Sequence, residues 1–183
     1  INQNYYPIVD KDELISQLPY LKKKIVKYEN YADAQIKDLF TATQLEESQV
    51  SELNMLESKI FIRNIKGEYE GDNLPEEIQY APVYAFAHHD KENKASKSTF
   101  YIGGNQYLVK PQFGRYDASM GWSLNYSIIK DEIQFDAPQT LGINGQIRQL
   151  EIVNLHSKNQ LLIGINNQKA IVLQIDTNKK KNE

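Results

Sequence analysis

The stretch from residue 82 to residue 105, PVYAFAHHDKENKASKSTFYIGGN, decides the fold class of this chain. Residues 82–87 form a short apolar run that is typical of a strand covered on both faces, and residues 98–102 form a second run that ends in Gly-Gly-Asn. The polar residues between the two runs predict a turn. Two more strands are predicted further along, so the segment forms a unit of four strands at residues 82–88, 98–103, 121–129 and 132–136.

This four-strand pattern recurs weakly later in the chain. Residues 147–155 and 161–166 again give an apolar strand, a polar turn and an apolar strand that ends in Gly and Asn. Residues 169–175 add a further strand, and residues 53–71 supply strands that are typical of the outer part of a preceding unit. Because a repeated four-stranded unit is the pattern of propeller blades, the sequence predicts antiparallel β-propeller-type blades that form a partial propeller.

The first quarter of the chain has a helical pattern instead. Asp10 and Glu13 have the spacing of a capping box, which predicts that a helix starts here. Apolar residues then recur at spacings of three and four, and Pro19 interrupts them, so we expect a two-helix segment from about residue 10 to about residue 49. The expected organisation is an N-terminal helical segment (1–50), β blades (51–176) and a solvated tail (177–183). By content the chain is mainly β with an N-terminal helical segment, or α+β.

Composition excludes several classes of function. The chain has 183 residues with 21 Lys+Arg against 24 Asp+Glu, so there is no basic excess to neutralise a phosphate backbone, and nucleic acid is not expected as a partner. The lack of cysteine excludes disulfides, thiolate nucleophiles and cysteine-based metal sites. No apolar run approaches the roughly 18 to 20 residues that a membrane-spanning helix needs. Because the chain starts with Ile1 rather than Met, we expect it to be a piece of a longer protein.

Several phrases carry a resemblance to a known family. They are residues 73–83 (NLPEEIQYAPV), 103–105 (GGN), 110–121 (KPQFGRYDASMG) and 164–167 (GINN), and the helical opening is similar too. Together they cover about residues 8–175 and resemble the C-terminal region of Bacteroidetes-type FG-GAP/VCBS-repeat proteins of the ASPIC/UnbV kind. The resemblance implies propeller blades on an extracellular or outer-membrane-associated protein that binds or adheres and has no established catalysis. The partners it implies are neighbouring blades of the parent chain, with a glycan or a surface protein as further candidates.

The calcium loop that such blades commonly carry is degenerate here. The family pattern is Asp-x-Asn-x-Asp-Gly-x-x-Asp, in which successive oxygen ligands wrap a calcium ion around a glycine turn. Asp90 keeps the first position and Glu92 offers an oxygen at the third, but Lys94, Ala95 and Ser98 replace the later ligands and the glycine. Because a lysine inside a cation site is repulsive, neither calcium nor another cofactor is expected.

The candidate ligand-binding residues lie in residues 113–122. They are Arg115, Tyr116, Asp117 and Trp122. Aromatic faces beside charged hydrogen-bonding groups are how proteins hold sugars and peptides, because the rings stack while forked donors fix orientation. The alternative is that Arg115 and Asp117 brace a long loop, with Tyr116 and Trp122 packed beneath it.

Catalysis is not expected from this sequence. His88 and His89 are adjacent on a predicted strand, so they point to opposite faces and cannot easily share a metal ion. Ser119 lies near Asp117, but no Gly-x-Ser-x-Gly motif and no acid-base constellation accompany it. The expected function is a non-catalytic extracellular or cell-surface binding or adhesion scaffold. Two alternatives stay open: a glycan-recognition module linked to polysaccharide uptake, and a purely structural segment that closes a propeller.

Overall fold

A computed structural model describes residues 4–90, 97–129 and 132–175. The expected tail (177–183) and most of the Asp90 loop (91–96) lie outside these residues. Contacts divide the chain into two compact units, residues 1–54 and 55–183, and each is described by itself below. Among the described residues, no helix has the length and apolar character that crossing a membrane would require.

The first unit is helical, but the prediction of two helices is wrong. The structure has short helices: α1 (Lys11–Gln17), a 3-10 helix (Pro19–Lys23), α2 (Tyr28–Ala32), α3 (Ile36–Leu39) and α4 (Ala42–Glu46). The predicted cap is confirmed, because Asp10 Oδ1 accepts the Glu13 N–H at 2.8 Å. Pro19 ends the first helix. Capping boxes at Gln35 and Thr41 begin new helices, so the segment consists of short helices rather than two long ones.

The second unit is built from antiparallel strands, which confirms the mainly β prediction. The strands are β1 (Lys59–Arg63), β2 (Tyr69–Asn73), β3 (Val83–His89), β4 (Ser98–Gly104), β5 (Trp122–Ile129), β6 (Glu132–Phe135), β7 (Gln139–Thr140), β8 (Ile147–Leu155), β9 (Lys158–Ile165) and β10 (Ile171–Gln174). A β1–β2 hairpin stands first. The central sheet has the order β3-β4-β5-β6 with β7 beside β5, and the C-terminal sheet has the order β10-β9-β8. The four strands predicted in residues 82–136 therefore pair consecutively.

The central sheet packs differently on its two faces. Phe86 pairs with Ile102 and Phe100 pairs with Leu124, so these residues share one face, called face A here. The opposite face, face B, packs against the C-terminal sheet, and β3 and β4 lie against β8. The core between these two sheets contains Ala85, Ala87, Tyr101, Ile143, Ile147, Leu150, Leu161, Ile163, Ile165 and Ile175.

One expectation for β3 is wrong. The apolar run at residues 82–87 predicts a strand covered on both faces, and Ala85 and Ala87 are buried on face B as expected. Tyr84 and Phe86, however, remain 49% and 70% exposed. The sequence alone does not show this exposure, because an apolar run has the same residues whether one face or both faces of its strand are covered. Face A is therefore only partly covered by the described residues.

Candidate functional site

The long loop between β4 and β5, residues 105–121, is closed by one buried side chain. Asn105 is fully buried and has a positive φ of 80°. Its amide nitrogen donates to the carbonyl oxygens of Ser119 (2.7 Å) and Gly145 (2.9 Å), and its oxygen accepts the Ser119 N–H at 2.9 Å. Asn105 thus joins the two ends of the loop to each other and to the turn that precedes β8.

Arg148 at the start of β8 reinforces this closure. Its guanidinium donates to the Asn105 carbonyl (2.9 Å) and to the side-chain oxygens of Gln106 (2.9 Å) and Gln146 (3.0 Å). It also lies over the Tyr84 ring, 4.0 Å from the ring centroid. Because its donors are directed at protein acceptors, Arg148 acts as a brace.

The other arginine of this region, Arg115, is presented to solvent. Its guanidinium stacks on the Tyr107 ring, 3.9 Å from the centroid, and its Nε lies 4.0 Å from Asp117 Oδ2. Tyr116 pairs with Gln106 through two backbone hydrogen bonds of 2.7 and 2.9 Å. The side chains of Arg115 and Asp117 are 58% and 55% exposed, and Tyr116 is exposed as well. The structure therefore brings these three candidate residues together on the outside of an anchored loop.

Trp122, the fourth candidate, lies elsewhere. It begins β5, pairs with Ile102, and packs against the face A cluster of Ile78, Ile102 and Leu124. Its indole Nε1 is buried and has no hydrogen-bond partner among the described residues. Trp122 thus contributes to the core rather than to the exposed surface of the loop.

We expect Trp122→Phe to change the free energy of unfolding by less than about 1.5 kcal/mol, because the swap keeps an aromatic ring and removes an unpaired N–H. Trp122→Ala should instead cost about 2 kcal/mol or more, because it removes a partly buried ring that packs against the face A cluster. Urea unfolding followed by far-UV circular dichroism measures both. If the two variants were equally destabilised, the indole N–H would have a role that the described contacts do not account for.

The histidines and Ser119 have local partners. His89 is buried while His88 is exposed on face A, where its Nε2 lies 2.7 Å from the Tyr126 hydroxyl and 3.4 Å from Asp90. Burial raises the pKa of Tyr126, and a hydrogen bond from Ser98 opposes that rise. Ser119 is buried and its hydroxyl accepts the Gly121 N–H at 3.3 Å. Within the described residues, no group of three or more His, Cys, Asp or Glu is arranged to hold a metal ion.

Sequence reasoning missed the partners that fix this loop. It identified the Gly-Gly-Asn phrase as the end of a strand, and the positive φ of Asn105 is typical of an asparagine in a turn. It did not identify Tyr107, Gln106 or Arg148 as neighbours of the loop. The only local signal was the Gly-Gly-Asn phrase, because the residues that contact Asn105 lie 14, 40 and 43 positions away along the chain.

Comparisons of the chain with protein-family models, with curated proteins and with solved structures find no match. The family resemblance noted above accordingly stays a prediction.

Proposed function

We propose that the chain is a non-catalytic binding module of an extracellular or outer-membrane-associated protein, built from β-propeller blades of the FG-GAP/VCBS-repeat (ASPIC/UnbV-like) kind. Its ligand-binding surface is the outside of the loop between β4 and β5. The observation that carries the binding part is the Arg115 guanidinium, which is held on the Tyr107 ring beside exposed Tyr116 and Asp117.

The arrangement of the sheets supports the propeller part. Strands β3 to β6 form a four-strand meander, which is the connectivity of a blade. The C-terminal sheet stacks on face B, and the first strands of the two sheets, β3 and β8, lie side by side. Neighbouring blades around a central axis must stack on each other and lie close together at their first strands, and these two sheets do both.

The chemistry of the loop surface supports binding. Stacking on Tyr107 orients the Arg115 guanidinium before a ligand arrives, so less side-chain entropy is lost when it pairs with a ligand oxygen. The Asp117 carboxylate is at the outer limit of ion-pair distance and mostly exposed, so it competes weakly for those donors. The exposed Tyr116 ring beside these hydrogen-bonding groups suits a glycan or a peptide segment of a surface protein.

A non-catalytic role fits the described contacts of the polar residues. Ser119 and Asn105 are occupied in closing the loop, and Asp90 accepts a hydrogen bond of 2.8 Å from the Ser98 hydroxyl. In the proposed module these groups stabilise the fold, and no calcium or other cofactor takes part.

The purely structural role stays the second candidate, because Asn105 and Arg148 do brace the loop against β8. Arg115 separates the two roles. A brace residue would donate hydrogen bonds to protein acceptors as Arg148 does, whereas the contacts of Arg115 are an aromatic ring and a distant carboxylate.

The experiment is thermal unfolding of the chain in calcium, in EDTA and with a panel of soluble oligosaccharides. A ligand at 100 times its Kd adds about 2.7 kcal/mol to stability, so binding by the folded state raises Tm. We expect a shift with one sugar class, its loss in Arg115→Ala, and its retention in Arg63→Ala, a matched exposed arginine on β1. Calcium and EDTA should give the same Tm. If no sugar shifts Tm, or if Arg115→Ala keeps the shift, the structural candidate is the better one.

A further inference from the structure

We propose that the outer edge of β1 and the uncovered part of face A together bind one extended β-strand with alternating apolar side chains. The strand belongs to the sheet that precedes the central sheet in the proposed propeller. The inference rests on the propeller part of the proposed function and adds the surface at which the neighbouring blade docks.

The first observation is an apolar groove beside β1. It has a volume of about 390 Å³ and runs between β1 and the β3–β4 half of face A. The groove is lined by Ser58, Lys59, Ile60, Phe61, Leu74, Val83, Phe86, Phe100 and Ile102. Phe86 projects from face A and remains 70% exposed. Such a contiguous apolar surface is typical of an interaction site.

The second observation is the unpaired edge of β1. Among the described strands, β1 pairs with β2 alone. The hydrogen bonds from Leu74 N to Ser58 O and from Asn64 N to Glu68 O fix the alternation of the ladder. The N–H groups of Ile60 and Ile62 therefore point to β2, and the N–H of Phe61, between them, points away from the hairpin. An edge of this kind is a template for another strand.

The edge and the groove are held in place next to each other. The Gln79 side chain donates to the carbonyl oxygens of Ser58 (2.9 Å) and Leu74 (3.0 Å) and accepts the Ser58 N–H at 2.8 Å. Its neighbour Ile78 is buried in the face A cluster. The base of the hairpin is thus fixed to the central sheet, and an added strand would continue an interface that already exists.

A strand is the occupant that meets both requirements. A lipid tail or an apolar helix could fill the groove, but neither could pair with the N–H and C=O groups of the β1 edge. A strand pairs with the edge through its backbone while every second side chain enters the groove. Face B provides an internal precedent, because a sheet covers it with β8 lying against β3 and β4. In the proposed propeller, the β1–β2 hairpin is the outer part of the preceding sheet, as the β5–β6 hairpin is of the central sheet. The strand that pairs with the β5–β6 hairpin is β4, so the occupant should resemble β4.

The test uses a fluorescein-labelled peptide with the sequence of residues 97–105, KSTFYIGGN, and the whole chain. We expect saturable binding in a fluorescence-anisotropy titration and protection of the Phe61 amide from hydrogen exchange. Phe61→Pro removes an outward N–H and a groove-lining ring without touching the β2 ladder, so it should weaken binding about tenfold or more. Tyr69→Pro is the matched control, because it places the same change at an exposed aromatic on the opposite edge of the hairpin.

A second pair of variants tests the groove. Phe86→Ser should weaken peptide binding about tenfold, and Ile65→Ser, at a more exposed apolar residue outside the groove, should leave it unchanged. The inference is overturned if no binding occurs up to about 1 mM peptide, or if Phe61→Pro and Phe86→Ser both bind normally. It is also overturned if the chain dimerises through this edge and excludes the peptide, since the occupant would then be a second copy. If the chain does not bind the peptide but still shows the Arg115-dependent rise in Tm with a sugar, this inference alone is rejected and the proposed ligand site stands.

Discussion

Asn105→Ala is expected to lower the free energy of unfolding by about 3 kcal/mol or more, the largest effect of any change in the loop region. The substitution removes three side-chain hydrogen bonds at a fully buried position. It leaves the carbonyl oxygens of Ser119 and Gly145 and the Ser119 N–H without those partners, and each unsatisfied buried group costs about 1–3 kcal/mol. The positive φ adds to the cost, because alanine adopts it less readily than asparagine.

The measurement is urea unfolding followed by the fluorescence of Trp122, the single tryptophan, which lies in the β-rich unit. Two control variants separate the causes. Asn105→Gly tolerates the positive φ but lacks the hydrogen bonds, so it should be nearly as unstable as Asn105→Ala. Asn167→Ala has the same backbone strain at an exposed turn, with a φ of 57°, and should cost about 1 kcal/mol. If Asn105→Gly restored stability, backbone strain rather than the hydrogen bonds would explain the effect.

The strands of this fold were predictable because their signals are local. Alternation and turn residues place β5 and β6 where the structure has them. The helices were harder, because the predicted spacing of apolar residues ran across residues 35 and 41, where side-chain caps begin new helices. Apolar periodicity does not detect such restarts, and only the cap at Asp10 was recognised.

The same distinction applies to the candidate site. Arg115, Tyr116 and Asp117 are consecutive, so their proximity follows from the sequence itself. Trp122 follows soon after along the chain, yet its pairing with Ile102 directs it into the face A cluster. That direction depends on strand register, which the sequence of the loop does not contain. Likewise, Tyr107 under Arg115 was not evident, because the eight-residue separation is bridged only by the folded loop.

Gly104→Ala should be comparably severe for a different reason. A Cβ at this position would lie 1.8 Å from the carbonyl oxygen of Pro82 and 2.8 Å from its carbonyl carbon, both of them backbone atoms. No side chain can rotate to relieve that contact, so the start of β3 must move away from the end of β4. The same Pro82 oxygen accepts the Asn105 N–H at 3.2 Å, and the shift would break this bond as well. Overpacking costs about 1–3 kcal/mol where side chains can adjust, so we expect at least about 3 kcal/mol here.

Neighbouring Gly103 provides the test of this reasoning. A Cβ there would lie 2.5 Å from Ile147 Cγ2, which is a side-chain atom. Gly103→Ala should therefore be partly rescued by Ile147→Ala, which removes the Cγ2 and Cδ1 contacts (2.5 and 2.9 Å) and keeps only the 2.7 Å contact with the Ile147 Cβ. Gly104→Ala combined with Ile147→Ala should show no such coupling. Gly142→Ala, where nothing lies within 4 Å and φ is 70°, sets the cost of backbone strain alone at about 1 kcal/mol. Urea unfolding of the four single variants and two double variants decides the matter, and rescue of Gly104→Ala by Ile147→Ala would contradict a backbone clash.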